Sequence, residues 1–138
     1  MASIQFFSEK TTFTLSAPRK TTNWLKKVIA AEEKQLNEIN FIFCSDNYLL
    51  RINKEYLNHN TLTDIITFDY SDKDSLSGDV FISIPRVREN ARGFGVSFDS
   101  ELHRVMVHGV LHLIGYKDKS AHQKSVMRRK EDAYLSLR

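Results

Sequence analysis

The stretch His108-Gly109-Val110-Leu111-His112-Leu113-Ile114-Gly115-Tyr116-Lys117-Asp118 has the spacing H-x3-H-x2-G-x2-D. Leu102, Val105, Met106, Val107, Val110, Leu111 and Leu113 make the run from Leu102 to Ile114 apolar nearly all round, which predicts a central, buried helix. Four residues along an α-helix turn through about 400°, so His108 and His112 stand one above the other. Gly115 suits the left-handed conformation that ends a helix, and the chain can then fold back to bring Asp118 beneath the pair. Two neutral imidazoles and a carboxylate suit Zn²⁺, and three protein ligands leave a fourth position open, as in catalytic rather than structural zinc. His108, His112 and Asp118 are therefore the expected ligands of one zinc ion per chain.

A histidine pair alone on an apolar helix is more often a buried pair satisfied by ordinary hydrogen bonds. The exit glycine and the carboxylate favour a metal, because the spacing equals the zinc-peptidase pattern H-E-x-x-H-x-x-G-x-x-H with aspartate in the last place. In those peptidases the glutamate after the first histidine is the general base; here that residue is Gly109, so ordinary proteolysis has no proton carrier. Lacking a Cβ, Gly109 would let a strand, a loop or a substrate approach the metal closely. His59, His103 and His122 are expected to face solvent, and Cys44 to pack within a strand.

The length of 138 residues fits one domain spanning 1–138, able to bury a core without disulfides. With 41% hydrophobic and 27% charged residues, the composition is that of a globular protein, and no apolar run is long enough to cross a membrane. No secretory signal is visible at the N-terminus, and the single cysteine forms no internal disulfide, so a reducing cytoplasm is the expected compartment. The net charge of +3 mildly favours an anionic partner. Lys26 and Lys27, Arg86, Arg88 and Arg92, and Arg128, Arg129 and Lys130 form basic clusters that bear on function only if they converge on the metal.

Outward from the histidine helix, Ile4 to Phe7 and Thr12 to Leu15 read as short strands, Thr21 to Gln35 as an amphipathic helix and Ile39 to Cys44 as a strand. Ser45 caps a helix running through Tyr56, which Asn58-His59-Asn60 closes. Thr63 to Tyr70 and Gly78 to Ser83 read as neighbouring strands separated by the polar Ser71 to Ser77. Pro85 opens a helix that Gly93 and Gly95 end, another begins near Asp99, and Ser120 to Leu135 forms the last. The sum is an α+β fold: a small mixed β-sheet packed against several helices, the buried central one carrying the metal motif.

HGVLHLIGYKD resembles the H-G-x-L-H-L-x-G-Y-D-H signature of the YbeY family. Asn53 and Tyr56, then Thr63-Asp64-Ile65-Ile66-Thr67-Phe68, resemble its N-x-x-Y and T-D-V-L-S-F segments; Gly78-Asp79-Val80-Phe81-Ile82 resembles its G-D-I-x-I strand, and Met127 with Glu131 its M-x-x-x-E ending. The resemblance implies a metal-dependent, single-strand-selective endoribonuclease of ribosomal RNA maturation, acting at the 16S rRNA 3′ end and in ribosome quality control. It further implies ribosomal RNA and the small ribosomal subunit as partners, without DNA. His108 and His112 match the family's first two ligands, and Asp118 stands where the third is usually histidine. Leu57 stands where the family commonly carries an arginine placed to contact phosphate.

No side chain is assigned as general base. Leu57 favours a second reading, a ribosome-assembly factor that cuts little or nothing and in which zinc is structural. A zinc peptidase is the third, with Gly109 against it.

Overall fold

The computed structural model describes residues 2–59 and 61–138. The elements run β1 (Ser3–Glu9), α1 (Pro18–Ala31), β2 (Gln35–Cys44), α2 (Asp46–Leu57), β3 (Ile65–Asp69), β4 (Ser75–Ser83), α3 (Ile84–Phe94), α4 (Phe98–Ile114) and α5 (Ala121–Leu135). The four strands form one mixed sheet in the order β1-β2-β4-β3. β1, β2 and β4 are parallel, and β3 returns antiparallel on β4 with Ile66 opposite Phe81. The fold is α+β, as the sequence predicts.

Strand periodicity sorts side chains onto two faces. Ile39, Phe41, Phe43, Val80 and Ile82 join the large core with Trp24, Leu25 and Val28 of α1, Ile84 and Val87 of α3, and Met127 and Tyr134 of α5. On the other face Ile66, Phe68 and Phe81 pack beneath Leu49 and Ile52 of α2. At the centre, Leu102, Met106, Val107, Val110 and Leu111 of α4 are at most 1% exposed. Each such side chain contributes about 1.5–3 kcal/mol by leaving water, so the histidine-bearing helix is among the best-anchored parts of the molecule.

Two glycines let α4 lie close to the sheet. A Cβ on Gly109 would stand 2.9 Å from Val80 Cγ1 and 3.1 Å from Ile65 Cδ1; one on Gly78 would stand 2.7 Å from Leu113 Cδ2 and 2.7 Å from the Phe68 carbonyl oxygen. Gly109 and Leu113 are one helical turn apart, so helix and sheet meet at two successive points. The absent side chain at Gly109 thus admits strands β3 and β4 rather than giving access to the histidines.

Several elements differ from expectation in extent, and one expected strand is absent among the described residues. Thr12 to Leu15 is irregular, although Leu15 is buried and Phe13 packs edge-on against Phe43 at 5.0 Å. α1 starts at Pro18, whose fixed φ suits a first turn, and stops at Ala31; Gln35 already belongs to β2, paired with Ser75. β4 likewise begins at Ser75, because Asp72 Oδ1 accepts from the amides of Asp74 and Ser75, both at 2.9 Å, and closes the turn early. The expected cap Ser45 is in place, and Gly95 ends α3 while Gly93 lies within it; Ser120, expected as the first residue of the last helix, instead caps it. Asn60, expected to help close α2, lies outside the described residues.

Candidate metal centre

The local structure around the motif follows from α4 and its exit. His108 and His112 occupy successive turns, their rings inclined at 74° with Nε2 atoms 3.1 Å apart. Gly115 takes φ 125°, and its amide donates to the carbonyls of Leu111 and His112, both at 3.1 Å. That conformation disfavours any residue with a Cβ. The Tyr116 amide donates to Leu111 O at 3.0 Å, and the chain then carries Asp118 Oδ2 to 3.2 Å from His108 Nε2 and 3.3 Å from His112 Nε2.

Three donor atoms thus form a triangle with edges of 3.1, 3.2 and 3.3 Å. A tetrahedral zinc site with bonds of about 2.0–2.1 Å has donor–donor edges of about 3.3–3.4 Å, so the donor set fits such an ion with little movement. His108, His112 and Asp118 form the group of His, Cys, Asp and Glu side chains able to hold a metal ion among the described residues.

Behind the triangle lies Glu131, whose place in the sequence shows only the M-x-x-x-E spacing with Met127. Glu131 of α5 is buried, and its Oε2 lies 2.5 Å from His108 Nδ1. A carboxylate accepts from a protonated Nδ1, which leaves the lone pair of Nε2 facing the triangle. Arg104, one turn before His108, donates from Nη1 to Glu131 Oε1 at 2.9 Å and from Nη2 to Asp132 Oδ1 at 2.6 Å. Burial alone would lower the His108 pKa, but the Glu131 hydrogen bond and the charges of Glu131, Asp118 and Asp64 outweigh it and raise the value. Burial also raises the pKa of Asp64, which accepts from Asn90 Nδ2 at 3.3 Å.

Two cavities flank the triangle and share Asp64, Ile65, His108 and Asp118. One, of about 360 Å³, lies against α5 and includes Arg104, Lys124, Arg128 and Glu131. The other, of about 730 Å³, lies against β3 and the end of α2 and includes Asn53, Leu57, His59, His112 and Lys119. Asn53 Nδ2 donates to Thr61 O at 2.9 Å and so holds part of that cavity's rim.

The remaining candidates separate. His122 is exposed, as expected. His59 is exposed too, but it lines the larger cavity beside the triangle. His103, expected to face solvent, is instead half-buried with its ring edge on Trp24 at 5.9 Å. Burial, with Arg138 and Lys20 nearby, pushes its pKa down to about 4. The basic clusters do not converge as groups: Arg86 pairs with Asp46, Arg92 with Glu89, and Lys130 with Glu32. Of the clustered residues only Arg128 lines a cavity at the triangle, joined there by Lys124, whose i,i+4 spacing from Arg128 was the available signal. Cys44 is fully buried in β2, and burial raises its thiol pKa to about 12.

The fold and the site together define a small α+β protein whose buried helix presents two imidazoles to an open triangle of three donors, able to hold a cation and backed by a carboxylate. A family profile described as Endoribonuclease YbeY matches residues 4–137, and the chain belongs to the YbeY endoribonuclease family. It is 55% identical over 131 residues to Endoribonuclease YbeY of Flavobacterium psychrophilum, covering 95% of this chain and 94% of that protein. It is 53% identical to the Flavobacterium johnsoniae protein of the same name over the same shares of the two chains. The solution structure of TM1509 from Thermotoga maritima superposes with a TM-score of 0.70 at 25% identity, covering 97% of this chain and 87% of that one.

Proposed function

We propose that residues 1–138 form one domain acting as a zinc-dependent endoribonuclease on single-stranded segments of ribosomal RNA. Its place is maturation of the 16S rRNA 3′ end and ribosome quality control in the cytoplasm, with the small ribosomal subunit as partner. Among the described residues no helix is long and apolar enough to cross a membrane, in keeping with that place. The observation that carries the reading is the donor triangle, whose edges of 3.1 to 3.3 Å suit one zinc ion and which borders two open cavities.

Zinc held by His108, His112 and Asp118 would supply a Lewis acid for a phosphoryl oxygen. The protein's own part is to prepare the donors. Glu131 keeps His108 in the tautomer with Nε2 free, Arg104 orients Glu131 through a hydrogen bond to Oε1, and the Gly115 exit brings Asp118 to both rings. Gly109 argues against a peptidase, because a glutamate side chain there would be driven into Val80 and Ile65.

Elemental analysis of purified wild type and Asp118→Ala, with both tested on structured ribosomal RNA, examines the reading. The expected outcome is near one zinc per chain and RNA cleavage in the wild type, both lost in the variant. No metal in the wild type overturns it. Zinc without cleavage supports the assembly-factor reading, which one observation favours: Leu57 offers the larger cavity an exposed apolar side chain instead of a cation.

A further inference from the structure

We propose that Lys124 and Arg128 of α5 form a phosphate subsite beside the triangle and so set the path of the RNA: backbone phosphates along α5, bases in the cavity between β3 and α2. The inference rests on the proposed ribonuclease reading and adds to it which side of the strand each wall of the site receives.

Lys124 and Arg128 are one helical turn apart, both exposed, and both line the cavity that holds His108 and Asp118. Among the described residues neither makes an ion pair. Arg104, the third cation there, is already engaged by Glu131 and Asp132. Of the cavity's other carboxylates, Glu101 and Glu131 are 6% and 5% exposed and Asp64 is half-buried, whereas the two free cations are exposed at the rim. An anion is therefore attracted at the rim and repelled from the floor, which keeps a phosphate level with the triangle's edge.

The larger cavity has the opposite character. Asn53, Thr61, Thr63 and Thr67 offer neutral donors and acceptors, with Leu57 as an apolar wall. Beyond the shared Asp64 and Asp118, its charges are Asp69 and Lys119, of opposite sign, so this wall carries no net attraction for phosphate. Neutral hydrogen-bonding groups beside apolar surface suit an unstacked base, and a base reaches them only when unpaired.

The test measures binding of zinc-loaded protein to labelled single-stranded oligouridylate at a series of potassium chloride concentrations. Single strands lose roughly 0.7 in the log–log salt slope per phosphate contact, so Lys124→Gln/Arg128→Gln should flatten the slope by about 1.4 and weaken binding at least tenfold. Its zinc content stays that of the wild type, and Lys26→Gln/Lys27→Gln on α1 leaves the slope unchanged. An unaltered slope in the α5 variant overturns the subsite, as does a loss of zinc that accounts for the weaker binding. Wild type that neither binds nor cuts RNA overturns the ribonuclease reading itself, a distinct result.

Discussion

Tyr116, two residues before Asp118, donates its hydroxyl to Glu32 Oε1 at 2.6 Å and so ties the exit of α4 to the end of α1. Lys130 Nζ donates to Glu32 Oε2 at 3.0 Å, and the Tyr134 hydroxyl donates to the same oxygen. Burial would raise the Glu32 pKa, yet these three donors hold the carboxyl below the usual range, so it stays ionised at neutral pH.

That tether fixes the segment carrying Asp118, the proposed third ligand. Tyr116→Phe keeps the ring and its packing but releases the carboxylate, and the zinc dissociation constant should rise about tenfold, in the range of outer-partner substitutions at metal sites. Competition with a chromophoric chelator reads it. Unchanged affinity would mean that the Gly115 turn alone holds Asp118 in place.

Acid should release the metal early. Zinc requires a neutral ring, and His108 in the metal-free chain keeps its proton above the ordinary 6.5 because the Glu131 and Asp118 carboxylates overcome the effect of burial. Affinity should already be falling as the pH drops to 6.5. Glu131→Gln should weaken binding by about 10–100-fold and move the onset of that fall to lower pH. Calorimetric titrations from about pH 8 to 5.5 check both, and an onset that Glu131→Gln leaves in place contradicts the role given to Glu131.

His103 predicts a separate pH effect on folding. Its folded value of about 4 lies below the ordinary 6.5, so the unfolded chain takes up the proton first as the pH falls. Stability is unaffected above that window and declines from 6.5 toward 4, by at most about 3 kcal/mol, reduced by solvent screening of this half-buried ring. His103→Phe keeps the contact with Trp24 and removes the proton. The stability difference between variant and wild type, from urea denaturation, should be constant above about pH 7 and shift in the variant's favour below it.

The glycine contacts predict a ranking. At Gly109 the atoms facing a new Cβ are ends of side chains, and alanine regains about 1 kcal/mol of helix propensity against about 1–3 kcal/mol of overpacking. At Gly78 the Phe68 carbonyl, a backbone atom, stands 2.7 Å away and has little freedom to move. Thermal unfolding should show a small loss for Gly109→Ala and a larger one for Gly78→Ala; the reverse order would contradict the close seating of α4.

The apolar run of α4, the i,i+4 histidines and Gly115 make the core of the site legible in the sequence, because each acts through local geometry. The polar start of β2 was not legible. Gln35 to Glu38 has no strand periodicity and is held by β4 and β1, which pair with it from 40 and 35 residues away by the registers Gln35↔Ser75 and Ser3↔Glu38. Thr12 to Leu15 shows the converse, β-favouring residues left without a partner strand. Glu131 behind His108, Glu32 beneath Tyr116 and the half-burial of His103 all depend on how helices distant in sequence pack together.

The contacts at Gly78 and Gly109 give the centre two unlike halves. The imidazoles ride on a helix locked against the sheet at successive turns, whereas Asp118 hangs from an irregular exit. On the proposed reading, a cation of larger radius would displace the carboxylate and leave the rings in place, so preference among divalent ions of different size would follow the length and tethering of the segment after Gly115, and could be tuned there without disturbing the core.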